Sequence, residues 1–201
     1  TLFNQIHEFP GNPDKLVIGC QLRNIDNSIQ PSAGYFPTLG RVIRQMLFID
    51  DFPFIKSLMS PYQQSDINFY QKEHQVDWVT GAFMLMTKKN YQAVNGFDES
   101  IFMYGEEIDL CYRLKKAKST VVYIPSAWIY HKKGGSSMDG FTSAACGEFA
   151  GLIRFYQKYY PKKLWLLRLT LYVGALLRIG LFGMIGSRKA VAYRLALKQI
   201  A

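Results

Sequence analysis

Leu16 to Leu22 (LVIGCQL) is a short apolar run fenced by Pro10-Gly11-Asn12-Pro13 on one side and Asn24-Ile25-Asp26-Asn27 on the other. Proline and glycine punctuate a chain sharply, and Asn and Asp favour turns. A run of that length, enriched in β-formers and bounded by turns, predicts a buried strand of an α/β sheet. Helical periods follow: Leu39, Val42, Ile43, Met46 and Leu47 recur at three- and four-residue spacing, predicting an amphipathic helix within residues 38–49. Residues 23–37 read as loop. Residues 50–75, rich in Pro, Ser, Gln and Asn, read as a long connection of the kind that often carries function.

The alternation continues. Val76 to Met86 reads as a strand with a possible break at Gly81, residues 90–94 as a helical turn, and residues 106–117 as a helix. Ser119 to Ile124 reads as a strand ended by Pro125, and residues 2–9 as the end of a short helix. Strand and helix in turn argue for an α/β fold. With 201 residues, 49% of them hydrophobic, the chain can bury one core and carry a short appendage. Thr1 opens without an initiator Met or the layout of a signal peptide, and the chain reads as entering a fold part-way.

Charge divides the chain. Residues 151–201 hold ten lysines and arginines and no acid, so the first 150 residues carry a net −1 of the overall +9. A nucleic-acid-binding stripe would have to lie in this tail, which is mostly apolar, so nucleic acid is not an expected partner. Leu164 to Ile185 is strongly apolar but interrupted by Arg168 and Arg178. Spanning takes about 20 apolar residues and a central arginine costs a few kcal/mol, which favours a helix lying in the interface. Lys162, Lys163, Arg188 and Lys189 suit anionic lipid heads, and Tyr159, Tyr160, Trp165 and Tyr172 suit the interface. The alternative is a helix buried against another subunit or another part of the protein. Cys20, Cys111 and Cys146 lie far apart without a CxxC pair, which argues against a disulfide framework or structural zinc and for a reducing, cytoplasm-facing location.

The sharpest local signal is Gly105-Glu106-Glu107-Ile108-Asp109-Leu110, which puts two carboxylates in the first turn of a helix. The positive end of the helix dipole favours their ionised form, and a fixed, ionised carboxylate can act as a general base. Acidic residues are also common at ordinary helix starts, and Asp109 with Arg113 has the spacing of a plain helical ion pair. His131, before Gly134 and Gly135, could serve a metal or a diphosphate, though a lone loop histidine usually does neither. Asp50-Asp51 is the only adjacent aspartate pair; it follows a helical pattern and is not expected to bind metal.

Several blocks occur in a fixed order: Trp78-Val79-Thr80-Gly81-Ala82; Gly96-Phe97-Asp98-Glu99; the run from Phe102 to Leu114; Tyr123-Ile124-Pro125; then His131 and Gly134-Gly135-Ser136-Ser137. With the earlier Gln30-Pro31-Ser32-Ala33 and Phe36-Pro37-Thr38, they resemble family 2 glycosyltransferases of the rhamnosyltransferase-like kind. The resemblance implies the C-terminal half of a GT-A fold over residues 1–150, a mixed sheet with flanking helices, followed by a membrane-associated helical tail over 151–201. It implies inverting transfer of a sugar from a nucleotide sugar to a glycan or lipid-linked acceptor, with Glu107 as the base and Glu106 beside it. It implies acceptor contacts at Trp78, Gly81 and Asp109, and diphosphate or metal contacts at His131, Gly134 and Gly135. A divalent metal (Mg²⁺ or Mn²⁺) is implied, held mainly by DxD ligands that this chain lacks, and a position at the cytoplasmic face of the membrane. The family more often has Asp where Glu107 stands. Lys118 replaces a glycine usual after the acidic helix, which reads as a local change of turn. The competing reading is a non-catalytic module that docks on a membrane or a protein.

Overall fold

A computed structural model describes residues 12–52, 59–101, 103–132 and 140–200. The helix expected at residues 2–9 lies outside these. The strands are β1 (Leu16–Arg23), β2 (Ile29–Gln30), β3 (Ala33–Gly34), β4 (His74–Val76), β5 (Trp78–Val79), β6 (Leu85–Met86) and β7 (Thr120–Tyr130). The α-helices are α1 (Leu39–Met46), α2 (Lys88–Gln92), α3 (Glu106–Lys116), α4 (Gly140–Tyr159), α5 (Leu164–Met184) and α6 (Lys189–Ala196). They fall into two compact units, one of Thr1–Phe36, Gln63–Ser100 and Glu106–Lys132, the other of Pro37–Tyr62, Ile101–Gly105 and Lys133–Ala201.

The first unit is built on β1, the strand legible in LVIGCQL. It runs parallel to β7 and antiparallel to β2 and β6, and β4 lies antiparallel on the far side of β7. Leu16, Ile18, Val122 and Ile124 form a buried cluster with Leu85 packed against it. The result is a mixed sheet with flanking helices, consistent with a GT-A fold. Behind the sheet, buried Tyr70 receives the backbone N–H groups of Ser32 and Ala33 on its hydroxyl at 3.0 and 3.1 Å. Its backbone carbonyl accepts from Tyr123 Oη at 3.0 Å, so Tyr70, through side chain and backbone together, ties residues 32–33 to the sheet.

Expectations are corrected at two places and refined at a third. Pro125 does not end the strand: β7 continues to Tyr130, and the register jumps from Cys20 opposite Ile124 to Gln21 opposite Trp128. Residues 125–127 bulge out there, and a bulge is where a strand tolerates a residue lacking an N–H. Over residues 76–86 the chain ends β4 at Val76 and then forms two short strands, β5 and β6, with the expected break present as a turn that includes Gly81. Lys118 does not change the turn either. It adopts the left-handed conformation (φ 64°), and Ser119 N–H bonds Leu114 O while Lys118 N–H bonds Lys115 O, both at 2.9 Å. That is the Schellman closure a glycine would make, held by a lysine.

In the second unit α5 packs on α1, α4 and α6. Leu167, Leu171, Gly174, Ala175 and Arg178 form its covered face. Gly174 is needed there, because a β-carbon would lie 2.6 Å from Met46 Cβ. Arg178 is 7% exposed; its guanidinium donates to the carbonyls of Met46 and Gln45 and lies 4.1 Å from the centroid of the Phe48 ring. It therefore caps the C-terminal end of α1, where a cation meets the last carbonyls and the negative end of the helix dipole. On α4, Gly151 lets the backbone of Tyr104 approach closely, since a β-carbon would sit 2.4 Å from Tyr104 O. Tyr104 and Gly105, both at positive φ, form the bend that leads into α3.

Candidate functional site

α3 begins with the acidic pair. Ile108, Leu110, Cys111 and Leu114 are buried, with β5 and β7 as α3's neighbours, which leaves Glu106 and Glu107 half-buried at the open end of the helix. Gly81, exposed in the turn after β5, lies beside them: a β-carbon built on it would be 3.9 Å from Glu107 Cβ and 4.0 Å from Glu106 Oε1. Among the described residues, one carboxylate oxygen of Glu106, Oε2, is buried and has no hydrogen-bond partner. A buried carboxylate oxygen left unpaired is costly. Glu107 lies near Cys111, one turn on. Burial pushes the Cys111 thiol up to about 12, and the Glu107 charge adds to the effect.

Asp109 is engaged elsewhere. It is 1% exposed, and its carboxylate pairs with Arg113 at 2.7 Å. Arg113 in turn donates to the carbonyls of Val94 and Gly96, so Asp109 anchors α3 to the turn at 94–96. Trp78 is buried too, its indole N–H donating to Tyr35 O at 3.2 Å. Next to it, Asp77 accepts from Phe36 N–H at 2.9 Å and pairs with Lys115 of α3. Gly81, Glu106 and Glu107 are thus brought together, while Trp78 and Asp109 shape the frame that holds them.

His131 follows the last residue of β7, and its N–H bonds Arg23 O at 2.9 Å. Its half-buried ring meets Gln30, with Nδ1 3.0 Å from Gln30 Oε1. Its described partners are Gln30 and Arg23, not the acidic pair. Gly134 and Gly135 lie outside the described residues. Gln30 has a direct bond to a candidate site residue, yet periodicity gave it no distinction; the block Gln30-Pro31-Ser32-Ala33 was its one signal in sequence. Asp50 bonds Arg44 at 2.9 Å in a short 3₁₀ turn, Ile49–Asp51, after α1. Among the described residues no three His, Cys, Asp or Glu side chains are grouped to hold a metal ion. His131, with Nε2 as its remaining ring nitrogen, fits at most one ligand position.

The model of the family described as "Glycosyltransferase like family 2" matches residues 30–145, which contain the acidic pair, Gly81 and His131. The chain belongs to that family. Members typically use a divalent metal ion. An N-acetylglucosaminyl-diphospho-decaprenol L-rhamnosyltransferase of Mycobacterium tuberculosis (strain CDC 1551 / Oshkosh) is 34% identical over 120 residues, 60% of this chain and 38% of the relative. The rhamnosyltransferase WbbL of Escherichia coli (strain K12) is 41% identical over 69 residues, 34% of this chain and 26% of its own length. The chain thus spans well under half the length of these relatives.

Proposed function

We propose that this family 2 chain carries the acceptor-side part of an inverting glycosyltransferase that moves a sugar, L-rhamnose by analogy with its relatives, from a nucleotide donor to a lipid-linked glycan. The observation that carries it is the acidic pair at the start of α3, beside exposed Gly81, with Glu106 Oε1 on that side. Glu107 accepts the proton of the acceptor hydroxyl as that oxygen attacks the anomeric carbon. The bond to the nucleoside diphosphate breaks on the opposite face, so configuration inverts. Glu106 accepts a hydrogen bond from the acceptor through Oε1, the oxygen on the Gly81 side, and orients it, and effective positioning of this kind lowers a barrier by several kcal/mol. The donor-binding groups belong to a part of the enzyme outside this chain. A divalent ion, when bound, neutralises charge on the departing diphosphate; His131 is the residue here that would hold it.

The tail supports action at a membrane. One helix, Pro161–Met184, is long and apolar enough to cross a bilayer, but one face of it is covered by protein and includes Arg178. The other face exposes Trp165 (64%), Leu169, Tyr172, Val173, Leu176 and Leu177. Exposed Lys162, Lys163, Arg188 and Lys189 flank it. Such a helix lies in the interface of an anionic, cytoplasm-facing leaflet, each cation contributing about 1 kcal/mol.

Glu107→Gln in the complete enzyme is expected to abolish transfer while leaving donor affinity unchanged. Near-normal turnover would remove Glu107 as the base. Sedimentation with vesicles should pull down the chain with anionic lipid and much less with neutral lipid.

A further inference from the structure

Gln30 is 6% exposed and sits opposite Leu22 where β2 pairs with the end of β1. The same end of β1 pairs with β7, Arg23 opposite Tyr130, so the sheet brings residues 30 and 131 together. Gln30 Nε2 donates to Asn24 Oδ1 at 2.6 Å and to the backbone carbonyl of His131 at 2.5 Å. Asn24 is itself oriented, because its Nδ2 donates to Ser28 Oγ at 2.7 Å and turns Oδ1 toward Gln30. A backbone carbonyl only accepts, so flipping the Gln30 amide would set oxygen against oxygen twice. Gln30 Oε1 is therefore the atom that faces His131 Nδ1 at 3.0 Å, and an oxygen that can only accept requires a proton on that nitrogen.

We propose that Gln30 is a positioning residue that holds His131 in its Nδ1–H form, so that Nε2 presents its lone pair to a divalent cation. The tautomer follows from the hydrogen bonds alone; the cation rests on the reading of His131 given above. An imidazole ligates metal through its unprotonated nitrogen, and the partner of the other nitrogen decides which one that is. A free histidine side chain favours the proton on Nε2, so the form required here is one the protein has to impose. It also selects between ligands. A neutral Nε2 without a proton repels a phosphate oxygen and attracts a cation, which makes the ring a partner for the metal of a metal–diphosphate pair. Among the described residues Nε2 has no hydrogen-bond partner of its own.

The test is long-range ¹H–¹⁵N correlation on the 201-residue chain labelled with ¹⁵N-histidine, metal-free, at a pH where the ring is neutral. His131 is assigned by loss of its signals in His131→Asn. The expected wild-type spectrum has Nδ1 protonated and Nε2 bare. In Gln30→Leu, with the remaining spectrum native, the ring should revert to a mixture dominated by Nε2–H. A wild-type ring with Nε2 protonated overturns the proposal, as does a folded Gln30→Leu variant that keeps Nδ1–H. If Gln30→Leu does not fold, the wild-type spectrum decides alone. The cation reading is tested separately: full transfer activity in His131→Ala of the complete enzyme, alongside the expected tautomer, would remove that reading and leave the assignment of Gln30 standing.

Discussion

The guanidinium of Arg178 donates to the carbonyl oxygen of Gln45 at 2.6 Å, tying the middle of the most apolar helix to the end of α1. This explains how α5 keeps a cation within an apolar run. The charge points into protein, where carbonyls and the Phe48 ring receive it. Replacing Arg178 with Met takes the guanidinium donors from the Met46 and Gln45 carbonyls, leaving Gln45 O with the 3.3 Å bond from Phe48 N–H, and is expected to destabilise the chain by about 2 kcal/mol. Arg178→Lys should recover only part of this, because an ammonium keeps the charge but not the planar guanidinium fork that meets both carbonyls. Denaturant titration measures both, and a lysine variant of wild-type stability would contradict the forked geometry.

Gly19 of β1 faces Val79 of β5 so closely that a β-carbon would fall 2.5 Å from Val79 Cγ1. Gly19→Ala is expected to cost about 1–3 kcal/mol by overpacking. The loss should shrink when Val79→Ala is added, since the second change removes the atoms in conflict. Additive losses in a double-mutant cycle would mean the clash is not where the damage arises.

Lys118 carries a left-handed backbone, which costs a non-glycine residue about 1–2 kcal/mol. Lys118→Gly should therefore stabilise the chain by about 1 kcal/mol, the glycine's greater freedom when unfolded offsetting part of the gain. A shift of the midpoint in urea, with unchanged m, is the expected signature.

Much of the sheet was legible because its signals are local. β1 shows itself as an apolar run between turns, and α3 as an acidic helix start. The continuation of β7 past Pro125 was hidden, since a bulge depends on the neighbouring strand and not on the residues that bulge. Lys118 was misread for a similar reason: the hydrogen bonds at Leu114 and Lys115 hold the turn whatever residue occupies it. In the site, the identity of the acidic pair was open to sequence, whereas Gln30 became meaningful only when β1 brought it beside a residue 101 positions later. Arg178 looked like a defect in an apolar helix because its partners, Gln45 and Met46, are 133 and 132 residues away.

Glu148 on α4 gives a pH dependence. Burial raises its pKa, against the hydrogen bond from Gln45 Nε2 at 2.8 Å and the nearby Arg178 charge, with Tyr193 also close. The folded pKa thus exceeds the unfolded one. The folded state binds this proton more tightly, so the contribution is fully present below the unfolded pKa, about 4.3, and is lost as pH rises through the folded value. Glu148→Gln removes this titration, and its stability relative to wild type should increase as the pH rises above the unfolded value. A difference that does not change with pH would mean the carboxyl titrates alike in both states.

Gly81 tests how the acceptor reaches the carboxylates. A β-carbon there makes ordinary contacts, 3.9 Å to Glu107 Cβ and 4.0 Å to Glu106 Oε1, and the residue is exposed. Gly81→Ala should leave stability within about 0.5 kcal/mol of wild type, as surface changes usually do. Gly81→Val should also fold, but its branches occupy the space directly over the acidic pair. If the hydroxyl approaches there, a displacement of about 1 Å is enough to cost a hundredfold in kcat/KM of the complete enzyme. Donor affinity should be untouched in both variants, which separates a blocked acceptor from a damaged fold. A valine variant with wild-type kcat/KM would show that the acceptor enters by another path.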